Sequence, residues 1–166
     1  MAQILPESPL LSTTTCSVVG TYEATYGDKL MWLGDGYVLP PDEVTAYTTV
    51  IYGVPNPVNP TYSHPIPDLT YFFPLGATSF VIHYGQDGIV LAQPLQVFYC
   101  PVTLTIGGLR PNRAIAALTS LIPHAPSRWA GGVVVMKFTD NTCTSYTDFT
   151  LSDITHIQYV FSCGGQ

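Results

Sequence analysis

The sequence predicts an all-β domain, a β-sandwich or jelly-roll-like fold, with one short α-helix near 111–122. Three observations carry this. Short runs of β-branched and aromatic residues recur between Gly, Pro, Asn and Asp turn signals. Several of these runs alternate apolar with polar residues, as a strand with one buried face does. One stretch alone combines Ala-rich composition with apolar residues three and four apart.

The elements follow in order. Val18-Val19-Gly20-Thr21-Tyr22 reads as a first strand. Residues 29–33 and 37–39 flank Gly34-Asp35-Gly36, a hairpin signal because Asp-Gly tolerates the positive φ of a tight primed turn. Residues 44–52 are β-branched and aromatic almost throughout. Residues 53–67 carry Pro55, Pro57, Pro60, Pro65 and Pro67, so they cannot donate a regular ladder and read as a long extended loop. A loop of that length calls for a role, and Tyr62 and His64 make it a candidate contact surface.

Residues 79–84 and 89–92 form a hairpin around Gly85-Gln86-Asp87-Gly88. In 95–106 the apolar positions move from odd (Leu95, Val97, Tyr99) to even (Val102, Leu104, Ile106) across Pro101. That change of parity predicts a bulged strand passing between sheets. In 111–122, Ile115, Leu118 and Ile122 share one helical face, with Pro111 in the first turn and Pro123 as the stop. Residues 133–138 read as a buried strand and Asp140-Asn141 as a turn, with 145–151 a further strand. Residues 154–163 close the domain as a strand with Ile157, Tyr159 and Phe161 on one face and His156 and Gln158 on the other. The whole reads as an extended arm over 1–15 and a single β-rich domain over 16–166.

Charge is the scarce resource. Only 10% of the 166 residues are Asp, Glu, Lys or Arg, against about 25% in a typical soluble domain. Five basic residues and a net charge of −6 argue against nucleic-acid binding and against docking on anionic membranes. No apolar run is long enough to span a bilayer, and the N-terminus lacks a basic region followed by an apolar stretch. The expectation is synthesis in the cytoplasm, with a virion as one destination. Cys16, Cys100, Cys143 and Cys163 are far apart and none lies at metal-ligand spacing. They read as reduced thiols used as small hydrophobes, although three disulfide pairings remain formally open.

Motifs for chemistry are absent: no phosphate loop and no nucleophile elbow. None of the four histidines, His64, His83, His124 and His156, is at ligand spacing to another. A Cys100–His83 pair on neighbouring strands is a weak candidate for acyl transfer. Asp42 and Glu43 read as the polar start of the next element, and Glu23, Asp148 and Asp153 form no spaced acid–base pair. No catalytic residue, metal or cofactor is therefore assigned.

Aromatics make up 12% of the chain, eleven of them Tyr, which suits both interfaces and sugar stacking. Trp129, between Arg128 and Gly131, reads as an exposed anchor. The first functional expectation is a non-enzymatic, self-associating subunit of a larger assembly, such as a virion decoration, spike or minor capsid protein. It explains a weakly charged exterior and the extended Pro-rich segments. The second is a lectin-like β-sandwich that binds glycans through Asp87, Trp129 and Asn141 on loops. The third is a small β-rich enzyme with an apolar pocket.

Overall fold

The computed structural model describes residues 31–54, 65–101, 111–119 and 129–162. Strands β1 (Met31–Leu39), β2 (Tyr47–Val54), β3 (Ile66–Pro67), β4 (Thr78–Tyr84), β5 (Val90–Tyr99), β6 (Val133–Phe138) and β7 (Tyr146–Thr147) form one antiparallel sheet. Helix α1 (Arg113–Thr119) lies between β5 and β6, and α2 (Ile154–Ser162) follows β7. The strand order is β3-β2-β1-β6-β5-β4, with β7 beside β6. The fold is thus broadly all-β, a curled sheet with two short helices, and all of the described strands belong to that one sheet.

The sheet buries both faces. Alternation along β6 sends Val133 and Val135 to one side and Val134 and Met136 to the other, and all six of its residues are buried. The first side meets Ile115 of α1, Ile157 and Phe161 of α2, and Trp129. The second side packs against Leu69 and Phe73, from the segment between β3 and β4. A run of six buried residues is what a strand covered on both faces requires.

Four expectations are met in substance. The β4–β5 hairpin turns at 85–89, where Gly85 N–H donates to the Ile89 carbonyl (2.9 Å) and Gly88 has φ +78°. The 44–52 run gives β2, beginning at Tyr47. The 133–138 run is β6. The 111–122 helix is α1, whose N-cap is Asn112 rather than a first turn opened by Pro111. The Asn112 side-chain oxygen accepts from Ile115 N–H (2.8 Å), as an N-cap should. Its amide nitrogen donates to the carbonyls of Leu39 (2.9 Å) and Gly131 (2.7 Å), so one fully buried Asn ties the helix to β1 and to the entry of β6.

Other expectations are corrected. Gly34-Asp35-Gly36 is not a hairpin turn but lies inside β1, which pairs with β2 along its length. Gly34 (φ +149°) sits at a bulge, and a Cβ there would meet the Thr147 backbone at 2.9 Å. At Gly36 a Cβ would lie 2.8 Å from Ile51 Cγ1. These glycines serve close approach, not chain reversal. The 154–163 segment is helical, not a strand: Ile154, Ile157 and Phe161 face the core at helical spacing while Tyr159 is exposed. The 145–151 strand shrinks to Tyr146–Thr147. Within the 95–106 run, residues up to Tyr99 belong to β5, and 102–106 lie outside the described residues. Its proposed passage to a second sheet, the first strand at 18–22, the arm at 1–15 and most of the 53–67 loop lie outside the described residues. At the far end of that loop, Ile66 and Pro67 pair with β2 as β3.

Candidate functional site

Three regions hold the side chains that chemistry or recognition needs. The first is the hairpin end of the sheet. Asp87 is exposed in the β4–β5 turn, where its Oδ1 accepts from Ile89 N–H (3.0 Å). It borders a shallow cleft of about 450 Å³ with Gln86, Thr155 and His156. Asn141 is exposed in the β6–β7 turn at the same end, where Gln93 Nε2 donates to the Thr139 carbonyl (3.4 Å). That turn is held by Asp140, whose Oδ1 accepts from both the N–H (2.9 Å) and the hydroxyl of Thr142. These bonds lower the Asp140 pKa.

Trp129 belongs to neither turn. It is 0% exposed and packs among Phe80, Tyr99 and Phe161. The exposed anchor expected there is in fact the centre of the core. Arg128 and Gly131 beside it suggested an open loop, but Trp129 and the residue after it are pinned: Asn112 N–H donates to the Trp129 carbonyl (2.6 Å), and Ala130 bridges to Pro111. Its indole is therefore unavailable to a glycan, and it lies at the opposite end of β6 from Asn141. Tyr62 and His64 lie outside the described residues.

The Cys100–His83 pair is also dissolved. In the β4–β5 register, His83 is near the hairpin turn and Cys100 is past the other end of β5. Cys100 is a buried free thiol, in keeping with a small hydrophobe. Cys143 is free and half-buried, and burial with the Asp140 charge raises its pKa, which keeps the thiol protonated. Among the described residues no three His, Cys, Asp or Glu side chains are placed to hold a metal, and no helix is long and apolar enough to cross a membrane.

The second region is a carboxylate pair that sequence spacing did not reveal. The β1 bulge brings Asp35 beside Asp148, whose Oδ1 accepts from Asp35 N–H (2.8 Å). Burial, and then the Asp148 charge, raise the Asp35 pKa above its ordinary value of 3.8. Neither residue lines the cleft beside Asp87 or the one lined by Gln96 and Tyr146. The folded protein holds the Asp35 proton more tightly than the unfolded chain does. Stability therefore falls as pH rises from 3.8 through the folded pKa, and the penalty is constant above it. Asp35→Asn is expected to raise the melting temperature at neutral pH by up to a few degrees, and the gain should fade below pH 3.8. Melting curves at several pH values test this; a variant less stable than the parent at neutral pH would contradict it.

The third region is a larger cleft, about 470 Å³, on the sheet face opposite the helices. The 65–79 segment forms one wall, with Leu69 and Phe73. Phe98, Gln96 and Tyr146 form the other. Tyr146 stacks on Phe138 (centroids 4.8 Å apart), and its hydroxyl donates to Gln96 Oε1 (2.5 Å). Gln96 Nε2 in turn donates to Ser79 Oγ (2.8 Å), which closes a chain of polar groups across three strands. Burial, with a smaller effect from Cys143, raises the Tyr146 pKa, so the phenol keeps its proton at any physiological pH. Asp68 is buried at the rim, and its Oδ1 accepts from the N–H (3.1 Å) and hydroxyl (2.7 Å) of Thr70.

Compared with protein-family models, with curated proteins and with solved structures, the chain finds no match.

Proposed function

We propose that this protein is a non-enzymatic structural subunit that associates with copies of itself, and that a larger assembly such as a virion surface is its setting. The virion part of this reading rests on composition: low charge, abundant Tyr and Pro, and extended segments suited to lying on a neighbour. The jelly-roll form of the fold goes with it, and would need strands outside the described residues to supply a second sheet.

One observation supports self-association best. At the β4–β5 hairpin, Tyr84 (60% exposed) pairs with Val90 (55%), and Ile89 (66%) stands beside them. Tyr84 ends β4, Thr-Ser-Phe-Val-Ile-His-Tyr, a strand that has no Pro, Lys or carboxylate and pairs on one side only among the described strands. Edge strands that stay single are usually short, charged or interrupted by Pro. The opposite edge follows that rule: β3 is two residues long and contains Pro67. A second copy fits the β4 edge because a neutral strand meets its own image without like charges opposed, despite a net charge of −6.

Native mass measured by light scattering over a concentration series is expected to show a defined oligomer, and Ile89→Lys with Val90→Lys should shift it toward monomer without lowering the melting temperature. A parent chain that stays monomeric at every concentration would overturn the reading.

A further inference from the structure

We propose that the cleft between the sheet and the 65–79 segment is a binding site for a neutral, hydroxyl-rich ligand of the saccharide class. This inference is independent of self-association at the β4 edge and uses other residues.

The charge of the lining excludes most alternatives. Among the described residues that border the cleft there is no Lys, Arg or His, so a phosphate or carboxylate would find no counter-charge. The single carboxylate, Asp68, is committed to its own turn through Thr70, which leaves it poorly placed to draw in a cation. An entirely apolar ligand is also disfavoured, because it would strip water from the Tyr146–Gln96–Ser79 chain without replacing its hydrogen bonds.

What remains available is a mixed set. Ser79 Oγ accepts from Gln96 and retains its own proton to donate. Gln96 has a second amide N–H, and Tyr146 Oη has lone pairs after donating its proton to Gln96. A hydroxyl is the ligand group that both donates and accepts, and a sugar carries several on a ring with apolar C–H faces. The rings of Phe73, Phe98 and Tyr146 supply apolar surface beside those polar atoms. Tyr and its neighbours offer that combination wherever one end of a site is apolar and the other wet. The volume, about 470 Å³, is within the range of small-ligand sites. At the rim, Gly76 leaves the mouth open, with nothing within 4 Å of the place a Cβ would occupy.

The order of the chain is fixed by the Tyr146 phenol. Because it stays protonated, Gln96 Oε1 remains the acceptor, and Gln96 Nε2 must point to Ser79. The donors left for a ligand are therefore the same at every pH near neutrality.

The test uses the full chain with glucose, galactose, mannose, N-acetylglucosamine, cellobiose and chitobiose as probes, by calorimetry and by amide chemical shifts. At least one probe is expected to saturate, with shifts centred on Gly76, Thr78 and Ser79. Gln96→Met and Tyr146→Phe should each weaken that binding by about tenfold. Ile89→Lys, which lies on the proposed association surface, should leave it unchanged. Failure of every probe to saturate, shifts centred away from the cleft, or full affinity in both Gln96→Met and Tyr146→Phe would overturn the proposal. The wild-type shift map decides the case even if a cleft variant does not fold.

Discussion

Trp129→Ala is expected to destabilise the protein by about 3–5 kcal/mol, the range for removing a fully buried large aromatic side chain. Trp129 contacts the sheet and α2 at once: its ring is 6.2 Å from Phe80 on β4, 5.3 Å from Tyr99 on β5 and 5.1 Å from Phe161 on α2. The last two contacts are edge-to-face, a preferred aromatic geometry that adds to the burial itself. Ile115 and Phe161, also fully buried, belong to the same cluster, so the cavity has rigid walls on several sides and little scope to collapse. Trp129→Phe keeps part of the ring and should lose distinctly less. Urea denaturation of both variants, with equal slopes, is the measurement. A loss below about 1 kcal/mol for Trp129→Ala would mean the residue is not the centre of the core.

Asp153→Ala is expected to cost a similar amount, about 3–5 kcal/mol, for a different reason. Lys137 lies on the central strand β6 and its ammonium is 2.9 Å from Asp153 Oδ2, with the side chains only 7% and 14% exposed. Removing the carboxylate leaves a cation in the interior held by a 3.4 Å bond to the Thr150 hydroxyl. The same carboxylate accepts from the N–H (2.8 Å) and hydroxyl (2.9 Å) of Thr150, closing the turn that leads into α2. Loss of such a cap adds about 1 kcal/mol. Lys137→Met keeps an apolar side chain of similar length and removes the buried charge, so it should be the milder change. Adding it to Asp153→Ala should restore part of the lost stability. A double-mutant cycle reads this coupling directly, and additive losses would show that the pair is not coupled.

How far the sequence carried depended on whether one local signal fixed each element. The β4–β5 hairpin was legible because Gly85-Gln86-Asp87-Gly88 interrupts two β-type runs and no competing reading exists. α1 was legible from its Ala content and its apolar face. α2 was misread because Ile157, Tyr159 and Phe161 alternate as a strand would, while Ile154, Ile157 and Phe161 satisfy helical spacing equally well. The deciding signal was present upstream: Thr150 and Asp153 stand three apart, the spacing of a helix-start capping pair, and they are bonded. The two turn-like glycines in β1 misled for the opposite reason. Gly34 and Gly36 look like punctuation, but they are needed where Thr147 and Ile51 come too close for a side chain.

Of the candidate site residues, Asp87 and Asn141 are on exposed turns as read, and Trp129 is not exposed at all. The cleft lined by Gln96 and Tyr146 had no sequence signature, because its members are 50 residues apart and meet only through the pairing of β5 and β7 with β6.

By itself the sequence determined the β-rich class, the hairpin, the first helix and the scarcity of charge. These follow from composition and from periodicity over a few neighbours, where local geometry alone decides which face a side chain takes. The tertiary structure decided which tryptophan is buried, which apolar run coils into a helix, where two aspartates meet and where polar groups line a cleft. Those outcomes depend on contacts between residues far apart in the chain, whose packing energies exceed the local preferences that a sequence displays.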